Sequence, residues 1–179
     1  MEFGQLSHAA RPLPLPLSAK NRRLTNLQNA AFNPSENPLD IPIVQVSLYD
    51  SEDPDQHYRL GLAVASLRTQ NIQIIVSGMA VHNMRDFRRV FGTTDIMPYV
   101  LTFDQALKEA VESDPQIRQK AMAGLLKRQD ARMAHPSFDH LLPIYVGAGA
   151  AGDDLGKRLW TATEGSLSWA QYRFGDVPG

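Results

Sequence analysis

Two short apolar runs stand out along the chain. Residues 72–76 and residues 43–48 are rich in β-branched side chains, which is typical of strands buried on both faces. Pro42 stands at the start of the earlier run, where a strand tolerates proline. Ser77 and Gly78 end the later run, because glycine adopts backbone angles that other residues resist. The pattern therefore predicts two buried strands.

The segment between these runs predicts a helix. Asp53 can cap it, Pro54 suits its first turn, and Gln56 occupies the capping-box position. The expected buried face comprises Leu60, Ala63, Val64 and Leu67. Strand, helix and strand over about 36 residues favour a right-handed crossover with parallel strands. We therefore expect an α/β fold with a mostly parallel sheet and flanking helices.

Later segments predict more helices and a hairpin. A capping box at Thr102 and Gln105 indicates one helix, and Asp114-Pro115 indicates another that runs to about residue 131. Its basic side chains are expected on the solvated surface: Arg118, Lys120, Lys127 and Arg128. A further helix is expected from Pro136, with Pro143 resetting it and residues 147–152 flexible. Alternation around Glu164-Gly165 predicts a C-terminal β-hairpin.

Composition narrows the function classes. The chain has 179 residues, a formal net charge of −1 and no basic stripe, so we expect no nucleic-acid partner. It lacks cysteine, so a metal would be held by His, Asp, Glu or backbone oxygen. No apolar run reaches the roughly 18 residues of a membrane span, so a cytoplasmic protein is expected. Residues 1–30 are read as a proline-rich, basic tail of low order, and residues 31–179 as the domain.

Histidine supplies the candidate chemistry. His82 follows the strand at residues 72–76 and is either a general base, a metal ligand or a satisfied strand-end histidine. His135 and His140 are five residues apart, and both could face one pocket or serve as a capping and a core residue. His57 is expected on a partly exposed helix face. Ser77 lacks the Gly-x-Ser-x-Gly pattern of a nucleophile elbow, so a hydrolase has little support.

Four motifs in order resemble a known family. They are Ile41-Pro-Ile-Val-Gln-Val-Ser-Leu48, Ile75-Val-Ser-Gly-Met-Ala-Val-His-Asn83, His135-Pro-Ser-Phe-Asp-His-Leu-Leu-Pro143 and Gly165-Ser-Leu-Ser168. The chain resembles the class III extradiol ring-cleavage dioxygenases, in the branch of 4,5-DOPA dioxygenases, over about residues 31–175.

The resemblance implies an α/β fold and a non-haem divalent metal, Fe(II) for catalysis and often recorded as Zn(II). It implies a catechol substrate cleaved beside its hydroxyls with both atoms of O₂ inserted. His82 matches the family's acid/base, which some descriptions also count as a metal ligand. His140 matches a metal ligand, and His135 matches a histidine of the same pocket.

Residues 1–30 do not resemble the N-terminal half that carries the family's two other metal-binding histidines. We therefore expect an incomplete family domain that self-associates. The alternative is a catalytically inactive α/β fragment or interaction protein that lacks half of the metal site.

Overall fold

The computed structural model describes residues 44–176. The chain divides into two units, residues 1–47 and residues 48–179. Of the first unit only residues 44–47 are described, and they have no regular secondary structure. The strand predicted at residues 43–48 is therefore wrong where the structure describes it, and its first residue, Ile43, lies outside the described residues. The tail predicted at residues 1–30 also lies outside them.

The described part of the second unit contains six α-helices and one 3₁₀ helix. Helix α1 spans Pro54–Val64 and continues into a 3₁₀ helix at Ala65–Gln70. The other helices are α2 (Met84–Val90), α3 (Pro98–Val111), α4 (Pro115–Leu125), α5 (Ala131–Ala134) and α6 (Leu142–Ala150). None of the described helices is long and apolar enough to cross a membrane.

Five short strands form two small sheets. They are β1 (Val81–His82), β2 (Gly156–Trp160), β3 (Thr163–Glu164), β4 (Leu167–Ser168) and β5 (Gln171–Phe174). One sheet has the order β1-β4-β3 and the other pairs β2 with β5, and every pairing is antiparallel. The fold is thus mixed helix and sheet, and the predicted mostly parallel sheet is wrong for the described residues.

The run at residues 72–76 explains that error. It has no strand assignment, and Ile72 and Ile75 are exposed. A β-branched run becomes a strand only where a neighbouring backbone accepts its hydrogen bonds. No strand between residues 44 and 176 pairs with it, so the predicted crossover does not form there. The predicted C-terminal hairpin is confirmed, because β3 and β4 pair around Gly165, whose φ is +58°.

Two helix caps follow the prediction, and two predicted capping boxes do not form. The side chain of Asp53 accepts hydrogen bonds from the first-turn amides of α1, and Asp114 does the same for α4. Gln56 does not close a capping box, because its amide oxygen instead accepts a hydrogen bond from Ser51. Thr102 lies inside α3, which begins four residues earlier at Pro98 because proline fits the first helical position.

The core lies around α3 and the crossing of α1 with α6. Phe103 and Leu107 of α3 are buried, together with Tyr145 of α6. A Cβ on Gly149 would lie 2.1 Å from the Tyr58 carbonyl oxygen, so α1 and α6 are in backbone contact at this point. Close backbone packing of this kind requires glycine.

Several burial predictions were wrong. Ala63 is exposed, whereas His57 is fully buried, with its Nδ1 2.8 Å from the Asp53 carbonyl oxygen. Arg118 is also fully buried, since its guanidinium donates to the carbonyls of Gly152 and Asp154 at 2.5 and 2.6 Å. The partners of Arg118 lie more than thirty residues further along the chain, so a helical pattern could not identify them.

The segment that contains His135 and His140 also differs from the prediction. No helix begins at Pro136, and residues 135–141 form turns before α6 starts with Pro143 in its first turn. The glycine-rich segment expected to be flexible is instead largely the buried end of α6, which reaches Ala150.

Candidate functional site: three histidines beside a cleft

His82 is the second residue of β1, and this strand is held by its pairing with β4. Val81 pairs with Ser168 and His82 pairs with Leu167 in antiparallel register. Val81 is fully buried, whereas His82 on the opposite side of the strand is partly exposed. The alternation of a strand therefore directs the His82 imidazole away from the core.

His135 lies at the end of α5 and is fully buried. Its Nε2 is 2.9 Å from the Ala80 carbonyl oxygen, which accepts a hydrogen bond only if Nε2 carries the proton. Its ring packs edge-on against Phe103 with centroids 5.3 Å apart. Burial lowers the pKa of His135 to about 4, although the bond to Ala80 opposes that shift. His135 is consequently a neutral histidine that supports the backbone just before His82.

His140 lies in the turns that precede α6, and its backbone is held by the segment before β1. The amide of Met79 donates to the His140 carbonyl at 2.9 Å. A Cβ on Gly78 would lie 2.1 Å from the same carbonyl oxygen, so only glycine allows this approach. The Nδ1 of His140 is 3.2 Å from Asp139 Oδ2.

Glu52 holds the other side of this turn segment. Its carboxylate accepts the Phe138 amide at 2.9 Å and pairs with Arg132 at 2.6 Å. The Arg132 guanidinium lies 3.9 Å from the centre of the Phe138 ring. The Arg132 side chain lowers the pKa of Glu52, and the Phe138 amide lowers it further.

The imidazoles of His82 and His140 stack on each other. Their ring centroids are 3.9 Å apart and their planes differ by 22°. Burial lowers the pKa of His82, the neighbouring His140 lowers it further, and Asp139 opposes the shift. The structure thus brings together His82 and His140, which are 58 positions apart in the sequence.

A cleft of about 350 Å³ opens beside His140. Its walls include Gly78, Pro143, Ile144, Leu159 and Tyr172. The lining is mixed, with apolar side chains around one imidazole, as is common in sites for small molecules. His82 contacts His140 but does not line this cleft, and His135 does not line it either.

The described residues do not by themselves complete a metal site. No three His, Asp or Glu side chains between residues 44 and 176 are placed to hold an ion together. The lone pairs of an imidazole lie in its ring plane, and two nearly parallel rings cannot both direct one at an ion ~2.0–2.1 Å away. As stacked, the rings of His82 and His140 therefore offer one lone pair toward a shared ion rather than two.

Sequence reasoning missed the residues that hold this arrangement. From the sequence, Gly78 only ends a predicted strand, and neither Glu52 nor Ser166 is singled out. Ser166 is fully buried and donates from Oγ to the Asn83 carbonyl at 2.6 Å. Gly78 and Ser166 belong to two of the four motifs that carried the family resemblance, which was the available signal.

Comparison with known proteins identifies the family of the chain. The family model described as the catalytic LigB subunit of aromatic ring-opening dioxygenase matches residues 31–174. The chain is 32% identical over 147 residues to a 4,5-DOPA dioxygenase extradiol of Portulaca grandiflora, covering 77% of this chain and 51% of that protein. It is 34% identical over 133 residues to the dioxygenase tasH of Hapsidospora irregularis, covering 68% and 40% respectively.

A solved structure of an uncharacterised protein from Escherichia coli K12 has a similar fold, with a TM-score of 0.67 at 25% identity. The match covers 80% of this chain and 58% of that one. The chain spans about half the length, or less, of the two curated relatives described above. Because the family model covers most of the chain, including all three histidines, the chain belongs to the family of the catalytic LigB subunit of aromatic ring-opening dioxygenase.

Proposed function

We propose that this chain takes part in the extradiol opening of a catechol ring by O₂, and that it supplies the part of the site that receives the ring and moves its proton. The observation that carries the proposal is the stack of His82 on His140 beside the cleft. Family membership supports the reaction class, and relatives named 4,5-DOPA dioxygenase support a DOPA-like aromatic substrate.

His82 is proposed as the general base. A catechol must lose a proton before its oxygens become strong donors, and a neutral imidazole can accept that proton. Burial and the adjacent His140 hold the pKa of His82 below its usual value, so its ring is neutral at pH 7. A positioned base of this kind contributes about 10²–10⁴-fold to the rate.

His140 and His135 are proposed to act differently. His140 lines the cleft and has an exposed ring edge, so it is the candidate metal ligand of this chain. His135 is fully buried, so we assign it an indirect catalytic role: it holds the Ala80 carbonyl and thereby the strand that carries His82.

The shortage of metal donors favours a second candidate function. With no third donor between residues 44 and 176, the chain could be a catalytically inactive family member that binds a partner through this fold. The two candidates differ in whether the histidines support turnover once the remaining donors are supplied.

Complementation tests the proposal. The isolated chain, given Fe(II), ascorbate and L-DOPA, should produce little ring-opened semialdehyde by visible absorbance. Addition of the N-terminal half of the Portulaca relative, which this chain does not match, should restore activity. His140→Gln should then abolish both activity and bound metal, whereas His82→Gln should slow turnover and leave the metal bound.

His57→Gln is the matched control, because the His57 ring contacts Tyr49 and neither His82 nor His140. It should leave the restored turnover per folded molecule close to that of the unsubstituted chain. Absence of turnover in every complemented sample, with both halves folded, would support the inactive candidate. Robust turnover by the isolated chain would contradict the proposed division of the site.

A further inference from the structure

The turn motif Gly165-Ser166-Leu167-Ser168 has no role in the chemistry proposed above, yet it contacts the strand that carries His82. Gly165 adopts a left-handed φ of +58°, and its carbonyl accepts the Met97 amide at 2.8 Å. A Cβ on Gly165 would lie 3.0 Å from Val90 Cγ2, so the turn is packed closely against α2. The motif is therefore fixed in place by both α2 and the segment that enters α3.

Two consecutive residues of this turn hold the backbone at and after His82. Leu167 is the register partner of His82 in the antiparallel pair. The Ser166 hydroxyl donates to the carbonyl of Asn83, the residue that follows His82, at 2.6 Å. Ser166 is fully buried, so water cannot replace this bond without entering the core.

Asn83 is itself fixed by its side chain. Its Oδ1 accepts the amides of Arg85 and Asp86 at 3.0 and 3.1 Å and so caps α2. Its Nδ2 donates to the Met133 carbonyl at 2.7 Å. The Asn83 carbonyl accepts two hydrogen bonds, from the Phe87 amide at 3.0 Å and from the Ser166 hydroxyl, and only the second can be removed by changing a side chain. Asn83 follows His82 directly, so these bonds limit movement of the backbone that carries the His82 ring.

From this geometry we propose that Ser166 is a positioning residue for His82: its hydrogen bond to the Asn83 carbonyl keeps the His82 imidazole stacked on His140. The catalytic value of that stack rests on the function proposed above, but the stack itself does not. The geometric statement can therefore be tested without turnover.

The experiment compares Ser166→Ala, which removes the hydroxyl, with Ser113→Ala. Ser113 is a matched control, because its hydroxyl also donates to a backbone carbonyl, that of Ala110, at 2.7 Å. The readout is the imidazole Cε1–Hε1 resonances of His82 and His140 in the whole chain. His82→Gln and His140→Gln assign these resonances and give the value for each ring without its stacking partner.

Stacked rings shield each other, so both resonances should be shifted upfield in the unsubstituted chain. Ser166→Ala should move both toward their unstacked values, and Ser113→Ala should leave both unchanged. Ser166→Cys keeps a weak donor of similar volume and should lose only part of the shift. If Ser166→Ala does not fold, Ser166→Cys provides the same test.

A folded Ser166→Ala or Ser166→Cys protein with both resonances unchanged would overturn the proposal. Unfolding of both variants would also overturn it, because the hydroxyl would then serve the fold as a whole rather than the orientation of one ring. If the complementation assay fails while Ser166→Ala still moves both resonances toward their unstacked values, the proposed function is rejected and the positioning role of Ser166 is not.

Discussion

Gly78→Ala is the most informative single change near the site. The added methyl would lie 2.1 Å from the His140 carbonyl oxygen and 3.3 Å from Pro143 Cγ. The nearest obstacle is backbone, so it cannot move aside as a flexible side chain would. The variant must therefore push the turn that carries His140 away from the segment that precedes β1.

The expected cost follows from two opposing effects. Displacing the turn breaks the hydrogen bond from the Met79 amide to the His140 carbonyl, and a group left without a partner costs about 1–3 kcal/mol. Gly78 has no positive φ, so alanine fits its backbone angles and should otherwise stabilise the chain by about 0.4–1 kcal/mol through the unfolded state. The net loss should be on the order of 1–2 kcal/mol.

Urea unfolding and thermal unfolding measure this loss. A domain of this size changes Tm by roughly 2–4 °C per kcal/mol, so Gly78→Ala should lower Tm by about 2–8 °C without a change in the urea m-value. Gly124→Ala is the control, because a Cβ on this residue of α4 would have no neighbouring atom within 4 Å and alanine favours a helix. It should be neutral or stabilising.

A second measurement tests whether the loss of stability comes from displacement of His140. The His140 amide resonance and the His82–His140 ring shifts should change in Gly78→Ala and stay unchanged in Gly124→Ala. Gly78→Ala with unchanged stability and unchanged His140 resonances would refute the close approach of these two backbones.

Three further predictions use other parts of the chain. Because the pKa of His135 is about 4 when folded and about 6.5 when unfolded, the unfolded chain binds more protons, so stability should fall by about 1.4 kcal/mol per pH unit from pH 6.5 toward 4. His135→Gln should flatten that slope in urea titrations, and an unchanged slope would contradict it. Gly149→Ala should destabilise by about 1–3 kcal/mol or more by calorimetry, since its methyl meets the Tyr58 backbone, and a raised Tm would be inconsistent with that packing. Ile75 is 70% exposed, so Ile75→Lys should reduce self-association in sedimentation; an equal effect of Ile117→Lys on α4 would point to general solubility instead.

The parts of the fold that sequence could predict are local. Asp53 and Asp114 cap helices because the amides they accept lie two or three residues away. The hairpin at Gly165 was equally accessible, since a glycine between two alternating segments is a turn signal that needs no distant partner.

The parts that failed depend on distant partners. The run at residues 72–76 has the composition of a buried strand but lacks a paired backbone among the described residues. The burial of Arg118 depends on the carbonyls of Gly152 and Asp154, more than thirty residues away. His57 is buried although its helical position gave no sign of it. Hydrophobic periodicity contains no information about such contacts.

The candidate site also has one part that the sequence could predict and one part that depends on distant partners. His82, His135 and His140 were selected through motif resemblance, and their proximity could be expected from it. Their different surroundings could not be, because the burial of His135 depends on Ala80 and Phe103 from other elements. The complementation experiment tests the proposed roles of His82 and His140.

The backbone of residues 79–83 explains how so short a strand can hold the site. Met79 binds the His140 carbonyl, the Ala80 carbonyl lies against His135, and the Asn83 carbonyl binds Ser166. The two strand residues between them pair with β4. Each of these successive residues is thus tied to another element, and the ties are made by main-chain atoms. Substituting the rings of His82 or His140 should consequently leave the backbone in place, whereas substituting Gly78 or Ser166 should move rings whose own residues are unchanged. That contrast separates residues proposed to perform the chemistry from those that position them.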